Sequence, residues 1–152
     1  MTTRPAAAEL IHSSTAYMVL RLGDVARDRI DRVLSRFGIT GRDMRVMSFA
    51  QGRALSQRDL SRLASLDRTT MVAVVDKLEG LGLVRRERSA ADRRKQVVTL
   101  TGRGTGLLDE LTLLLAGEEA GFLTPLTGEE QRLLNGLMTK LYEAHDPSCA
   151  AP

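Results

Sequence analysis

The sequence predicts a mainly α-helical fold that carries one small β-hairpin. Three observations predict it. Apolar residues recur at helical spacing over most of the chain, and only two short runs, 83–88 and 96–100, read as strands. Side-chain oxygens suited to a helix start stand before the apolar stripes, at Thr40, Ser56, Asp67, Thr101 and Thr127. Charge is segregated: residues 53–103 hold twelve Lys/Arg against six Asp/Glu, whereas 104–152 hold two against eight.

Each element follows in order. Residues 6–36 predict one long helix, with Leu20, Ala26, Ile30, Val33, Leu34 and Phe37 in register and Gly38 as its stop. Thr40, with Asp43 three residues on, opens a short helix over 41–51 whose apolar face is Met44, Met47, Phe49 and Ala50. Ser56 and Asp59 open a second short helix that turns Leu60 and Leu63 inward. Asp67 caps a third, DRTTMVAVVDKLEGL, which ends at Gly82. The two β-prone runs then flank SAADRRK, a hairpin with a basic tip. Thr101 starts a second long helix with Leu107, Leu108, Leu111, Leu114 and Leu115, extended by Phe122 and Leu123 until Pro125. A capping box from Thr127 to Glu130 starts the last helix, striped by Leu133, Leu134, Leu137, Met138 and Leu141. The tail HDPSCAAP is expected to fray. Leucine stripes at both ends exceed what one layer can hide, so they are expected to meet each other or a second copy.

Several function classes lose support. No apolar run approaches the roughly 18 residues of a membrane span. The first residues lack a continuous apolar stretch, so no secretory leader is expected and the chain is placed in the cytoplasm with the nucleoid. Cys149 is the single cysteine, which excludes an intramolecular disulfide. His12 and His145 lie at opposite ends, so no metal cluster is expected. No nucleophile–base or paired-carboxylate pattern points to an enzyme, and no cofactor is expected. Gly102, Gly104 and Gly106 follow a strand and open a helix. Their spacing and hairpin context do not fit a dinucleotide loop, and they are expected to loosen a hinge.

The helix after Asp67 carries the functional argument. Met71, Val74, Val75 and Leu78 form one buried stripe at i, i+3, i+4 and i+7. Arg68, Thr69, Val72, Ala73, Asp76 and Lys77 remain on the other side. Small groups at Val72 and Ala73, where a solvent-facing helix would carry Glu or Lys, give a low profile that fits a groove. Such groups can touch a thymine methyl, and Thr and Arg can reach base edges or phosphates. With the preceding helix this makes a helix-turn-helix, and with the hairpin a winged one. Between 85 and 95 the hairpin has six basic residues, Arg85, Arg86, Arg88, Arg93, Arg94 and Lys95, against Glu87 and Asp92. An acid at a DNA-facing tip is expected to pair internally and shape the wing. The alternative is a winged-helix module for protein assembly without sequence-specific DNA binding, which would not need six basic residues in one hairpin.

Residues 66–104 resemble the MarR family of bacterial transcription regulators. Asp92-Arg93-Arg94, followed by Leu100-Thr101 and Gly104, resembles the D-x-R wing of that family and its L-T-x-x-G start of the next helix. Asp76-Lys77-Leu78-Glu79 and Gly82-Leu83-Val84 resemble the end of its recognition helix. The resemblance implies a homodimer, with residues 1–37 and 104–146 as its helical dimerisation region. It implies a winged helix-turn-helix over 38–103 and a flexible tail over 147–152. It further implies a repressor of a pseudo-palindromic double-stranded DNA operator, released by a small aromatic or phenolic effector. The DNA-binding residues it implies are Ser56, Gln57, Arg68, Thr69, Thr70, Val72, Ala73, Lys77, Arg88, Arg93 and Arg94, with Asp92 structural in the wing. The implied effector pocket is His12, Tyr17, Arg21, Met44, Arg45 and Met47. The chain departs from the pattern at Val72-Ala73, where relatives commonly carry Thr-Arg, and at Leu81, where a basic residue is common.

Overall fold

Helix starts are set by local side chains. In the computed structural model, which describes residues 7–146, seven helices and two strands follow one another. They are α1 (Ala7–His12), α2 (Thr15–Ser35), α3 (Gly41–Ala50), α4 (Gln57–Ala64), α5 (Arg68–Gly80), β1 (Val84–Arg88), β2 (Gln96–Leu100), α6 (Gly102–Phe122) and α7 (Gly128–His145). From α2 onward every helix begins on a residue whose side chain accepts a backbone N–H: Ser14, Thr40, Ser56, Asp67, Thr101 and Thr127. Ser14 corrects the expectation of one helix over 6–36. Its backbone is extended (φ −73°, ψ 139°) and its hydroxyl accepts the Tyr17 N–H at 3.3 Å. A Ser-Ser-Thr run gives the backbone competing side-chain partners, so the helix stops and restarts there.

The turns fix how the short helices meet. α4 ends on Ser65, the one non-glycine residue with positive φ among the described residues (52°). There Leu66 donates its N–H back to the Ser61 carbonyl at 2.9 Å, which sends the chain directly into α5. β1 and β2 pair antiparallel from Val84 opposite Leu100 to Arg88 opposite Gln96. A third segment joins them, which the sequence did not reveal: Val98 donates its N–H to the Leu55 carbonyl at 2.8 Å. Leu55, next to the Ser56 cap of α4, is thereby sewn to the outer edge of β2.

One core unites α2 to α6 and the hairpin. Leu34, Met47, Leu60, Met71, Leu78, Leu111 and Val98 are fully buried in it. α7, by contrast, buries no residue. Leu133 is 64% exposed and Leu137 51%, and on the first helices Leu10, Met18, Leu20 and Leu22 are exposed as well. Apolar area of this extent on helices otherwise well capped marks a face built to be covered.

The junction of β2 and α6 corrects a second expectation. A Cβ on Gly104 would stand 2.0 Å from the Leu83 carbonyl oxygen. The same oxygen accepts the Thr101 N–H at 3.1 Å, and the Thr101 hydroxyl donates to the Gly82 carbonyl at 2.7 Å. Gly104 is therefore a close-packing position that locks α6 onto the start of the wing, not a loosened hinge. Gly102 and Gly106 have open space around them.

Candidate nucleic-acid interface

α5 is seated by Met71, Val74, Val75 and Leu78, all buried. That leaves Arg68, Thr69, Val72 and Ala73 exposed on the opposite side. Thr70 is engaged elsewhere. Its N–H and hydroxyl both donate to the Asp67 carboxylate, at 2.9 and 2.5 Å. The hydroxyl first, and the N–H second, hold the Asp67 carboxyl below its ordinary value. Ser56 is likewise committed: its hydroxyl donates to Asp59 at 2.6 Å and accepts the Asp59 N–H at 3.2 Å. Gln57, half-buried beside it, leaves its amide nitrogen without a hydrogen-bond partner among the described residues.

Lys77, 40% exposed, is engaged by an acid of α3. Its ammonium lies 2.6 Å from Asp43 Oδ2, a carboxylate that is 2% exposed. That oxygen also accepts the N–H and hydroxyl of Thr40, at 2.8 and 3.0 Å. A buried carboxylate needs a counter-charge, and the Lys77 ammonium supplies it and staples α5 to α3. A second staple stands on the wing side, where Arg86 of β1 donates to both Asp76 and Glu79 of α5. Partial burial works against the Arg86 charge. The Asp76 and Glu79 carboxylates together outweigh it and hold the guanidinium above its ordinary range. Neither staple was visible in the sequence. The one signal for the second was a pair of acids at i and i+3 shortly before a basic strand.

The wing tip is shaped by Asp92 and Ser89. Asp92 Oδ1 accepts the Arg94 N–H at 3.0 Å and its carbonyl accepts the Lys95 N–H at 2.9 Å. Ser89 donates its N–H to the Lys95 carbonyl at 2.9 Å, closing the loop. Around this turn Arg88, Arg93, Arg94, Lys95 and Gln96 surround a notch of about 270 Å³. Among the described residues Arg88, Arg93 and Arg94 have no ion-pair partner, while Lys95 stands 4.0 Å from Asp92. Unpaired guanidiniums around a notch are suited to phosphate oxygens, which they grip through two parallel N–H donors.

The six residues of the expected effector pocket are spread over α1 (His12), α2 (Tyr17, Arg21) and α3 (Met44, Arg45, Met47). The rings of His12 and Tyr17 lie 4.9 Å apart, and Arg21 faces Asp24 at 3.7 Å. Arg45 turns to the end of α4, 3.5 Å from the Ala64 carbonyl, and Met44 is half-buried. Met47 has no exposed surface and packs in the core. Cys149 lies outside the described residues. Among the described residues no group of three His, Cys, Asp or Glu could hold a metal ion, and no helix is long and apolar enough to cross a membrane.

Comparison with known proteins fits this geometry. The family model described as "MarR family" matches residues 37–95, from the end of α2 to the wing tip. The HTH-type transcriptional repressor Rv2887 of Mycobacterium tuberculosis is 33% identical over 128 residues, covering 82% of this chain and 91% of that protein. A crystal structure of Rv2887 in complex with DNA superposes with a TM-score of 0.74, at 28% identity, over 85% of this chain and 98% of that one. Its complex with p-aminosalicylic acid superposes at 0.69 and 29% identity, over the same shares of the two chains. Similarity that runs through both the lobe and its flanking helices leaves one assignment: the chain belongs to the MarR family of transcription regulators.

Proposed function

We propose that two copies of the chain form a ligand-responsive repressor that grips a pseudo-palindromic DNA operator. The observation that carries this reading is the low face of α5, Thr69, Val72 and Ala73, in one lobe with a wing tip whose Arg88, Arg93 and Arg94 have no ion-pair partner among the described residues. α5 enters the major groove, where Val72 and Ala73 suit thymine methyls and Thr69 a base edge. Arg68, Arg88, Arg93 and Arg94 take phosphates. Residues 38–103 are the DNA-binding lobe, 1–37 and 104–146 the dimerisation region, and 147–152 a tail. The uncovered leucines of the terminal helices pair with the same face of a second copy and set the two recognition helices about 34–36 Å apart. The complexes of Rv2887 with DNA and with p-aminosalicylic acid support a chain of this fold that binds both DNA and a small aromatic ligand. The work of the chain is binding rather than catalysis, and its place of action is the nucleoid.

Selection from a random DNA pool tests the reading. The protein should enrich inverted half-sites about 10 bp apart. Ala73→Arg should change the preferred base, not only the affinity. The same motif selected by both proteins, or none by either, refutes it.

A further inference from the structure

One rung of the hairpin is held from both of its edges. Arg86 stands opposite Val98. On one edge the Val98 N–H donates to the Leu55 carbonyl at 2.8 Å. On the other edge the Arg86 N–H donates to Glu79 Oε1 at 3.1 Å. The Arg86 guanidinium adds donors to the second oxygen of Glu79 and to Asp76. A carboxylate of α5 thus seals a strand edge that would otherwise be open. The Arg86 side chain is 18% exposed. Arg85, next to it on the opposite face, is 62% exposed and pairs with Glu87 inside the hairpin.

We propose that Arg86 is a positioning residue for DNA recognition: without touching DNA, it sets the angle between α5 and the wing, so that the tip arginines reach the duplex while α5 lies in the groove. This rests on the DNA-binding reading above. Asp76 lies one turn after Val72 and Ala73 on α5, and Glu79 lies near the end of the same helix. The grip therefore ties the wing to the helix that carries the low face. Lys77, the neighbour of Asp76, holds α5 to α3. Two ion pairs of opposite polarity, at adjacent positions of α5, fix that helix between α3 and the wing.

The lever arm sets the size of the effect. The last pair of the hairpin, Arg88 and Gln96, lies about 7 Å past the rung at a strand rise of about 3.3 Å per residue. A tilt of about 20° at the rung moves that pair by about 2 Å, and Arg93 and Arg94 in the loop beyond it by more. Charge-assisted contacts from a guanidinium work at about 2.7–2.9 Å, so a shift of this size breaks them. Asp76 and Glu79 are both exposed. Losing Arg86 leaves their carboxylates in water rather than buried without a partner, so the loss falls on geometry more than on fold stability.

The test uses the full-length protein and anisotropy titrations on a duplex that carries the half-sites recovered by selection. Arg86→Met should weaken binding by about tenfold. Arg86→Lys keeps the charge but cannot span both carboxylates as a guanidinium fork does, and should lose less. A double-mutant cycle with the wing tip decides the matter. In wild type, Arg94→Ala should weaken binding several-fold and shallow the salt slope by about one unit. In the Arg86→Met background it should change affinity by less than about twofold and leave the slope as it is. Equal losses in the two backgrounds overturn the proposal. Arg85→Met removes the same charge from the hairpin without touching the grip, and there the Arg94→Ala loss should keep its wild-type size. If Arg85→Met abolishes that loss too, charge and not position is responsible, and the proposal falls. Amide exchange without DNA reads the grip itself. Arg86→Met should speed exchange over residues 87–97 by about tenfold and leave the buried turns of α3 and α5 at wild-type rates. Acceleration spread evenly over the chain, or none in the wing, overturns the positioning role. A wild type that ignores DNA refutes the DNA-binding reading and the part Arg86 plays in it, while the exchange still decides whether Arg86 holds the wing.

Discussion

Replacing Gly104 by alanine probes the junction between the wing and α6. The new Cβ would stand 2.0 Å from the Leu83 carbonyl oxygen, 2.9 Å from its carbon and 3.2 Å from Leu100 Cδ2. Even favourable carbon–oxygen contacts settle near 3.3–3.6 Å, so α6 must retreat from β1 by about 1 Å or more. The obstacle is backbone, which cannot swing aside as a side-chain end would. Retreat also stretches the Thr101 bonds to Leu83 (3.1 Å) and Gly82 (2.7 Å). Overpacking costs about 1–3 kcal/mol, two weakened hydrogen bonds about 1 kcal/mol each, and alanine returns about 1 kcal/mol of helix propensity. The net loss is about 2–4 kcal/mol, and in a chain of this length Tm should fall by about 5–15 °C. Gly106→Ala is the control. It lies on the same helix with nothing within 4 Å, and should gain up to about 1 kcal/mol. Circular dichroism melts at equal protein concentration decide the matter, because self-association makes Tm depend on concentration. If Gly104→Ala melts at or above wild type, the packing argument fails.

Four further outcomes are expected. Arg94→Ala should weaken specific and nonspecific DNA binding alike and shallow the salt slope by about one unit, read by fluorescence anisotropy; an unchanged slope removes the wing tip from the interface. Lys77→Met leaves the buried Asp43 carboxylate without its counter-charge, held only by Thr40, and should cost about 1–3 kcal/mol in urea denaturation with the salt slope unaltered. A changed slope at unchanged stability would put Lys77 on a phosphate instead. Leu137→Glu should shift sedimentation from dimer to monomer, and a wild type that already sediments as a monomer contradicts the dimer. Asp59 is held below its ordinary value of 3.8 by the Ser56 hydroxyl first and Arg62 second. A depressed folded-state pKa adds stability that is complete above 3.8 and is lost as pH falls through the lower folded value. The stability gap between wild type and Asp59→Ala should therefore hold from neutral pH down to about that point and then close; a gap that widens on acidification contradicts it.

What was legible in the sequence was local. Thr40, Ser56, Asp67, Thr101 and Thr127 announce their helices because a cap and the N–H it satisfies lie three residues apart. The stripe Met71, Val74, Val75, Leu78 fixes which side of α5 is hidden, and so which side is left to Thr69, Val72 and Ala73. Ser14 escaped because an apolar stripe continues across it, and periodicity does not register a hydroxyl competing for one N–H. Long-range partners were not legible. Lys77 and Asp43 are separated by 34 positions, and nothing near either says that one neutralises the other. Gly104 reads as freedom in one dimension and proves to be a contact in three, since Leu83 is brought to it only by the hairpin. Met47 shows the same limit: its spacing indicates burial, but not which elements pack around it.

These long-range partners change the meaning of the charge count. Residues 53–103 carry six acids, and each is engaged within the lobe. Asp59 pairs with Arg62, Asp76 and Glu79 with Arg86, Glu87 with Arg85 and Asp92 with Lys95, while Asp67 caps α5. Asp43, from the preceding helix, takes Lys77. The paired cations are those that hold the lobe together. Arg58, Arg68, Arg88, Arg93 and Arg94 have no ion-pair partner among the described residues. A polyanion approaching α5 and the wing therefore meets bare guanidiniums and carboxylates already neutralised or engaged in caps. The repulsion that those acids would otherwise supply is reduced before binding begins. A bare charge count understates this surface, because the acids that lower the net charge also orient and rigidify the elements that present the arginines.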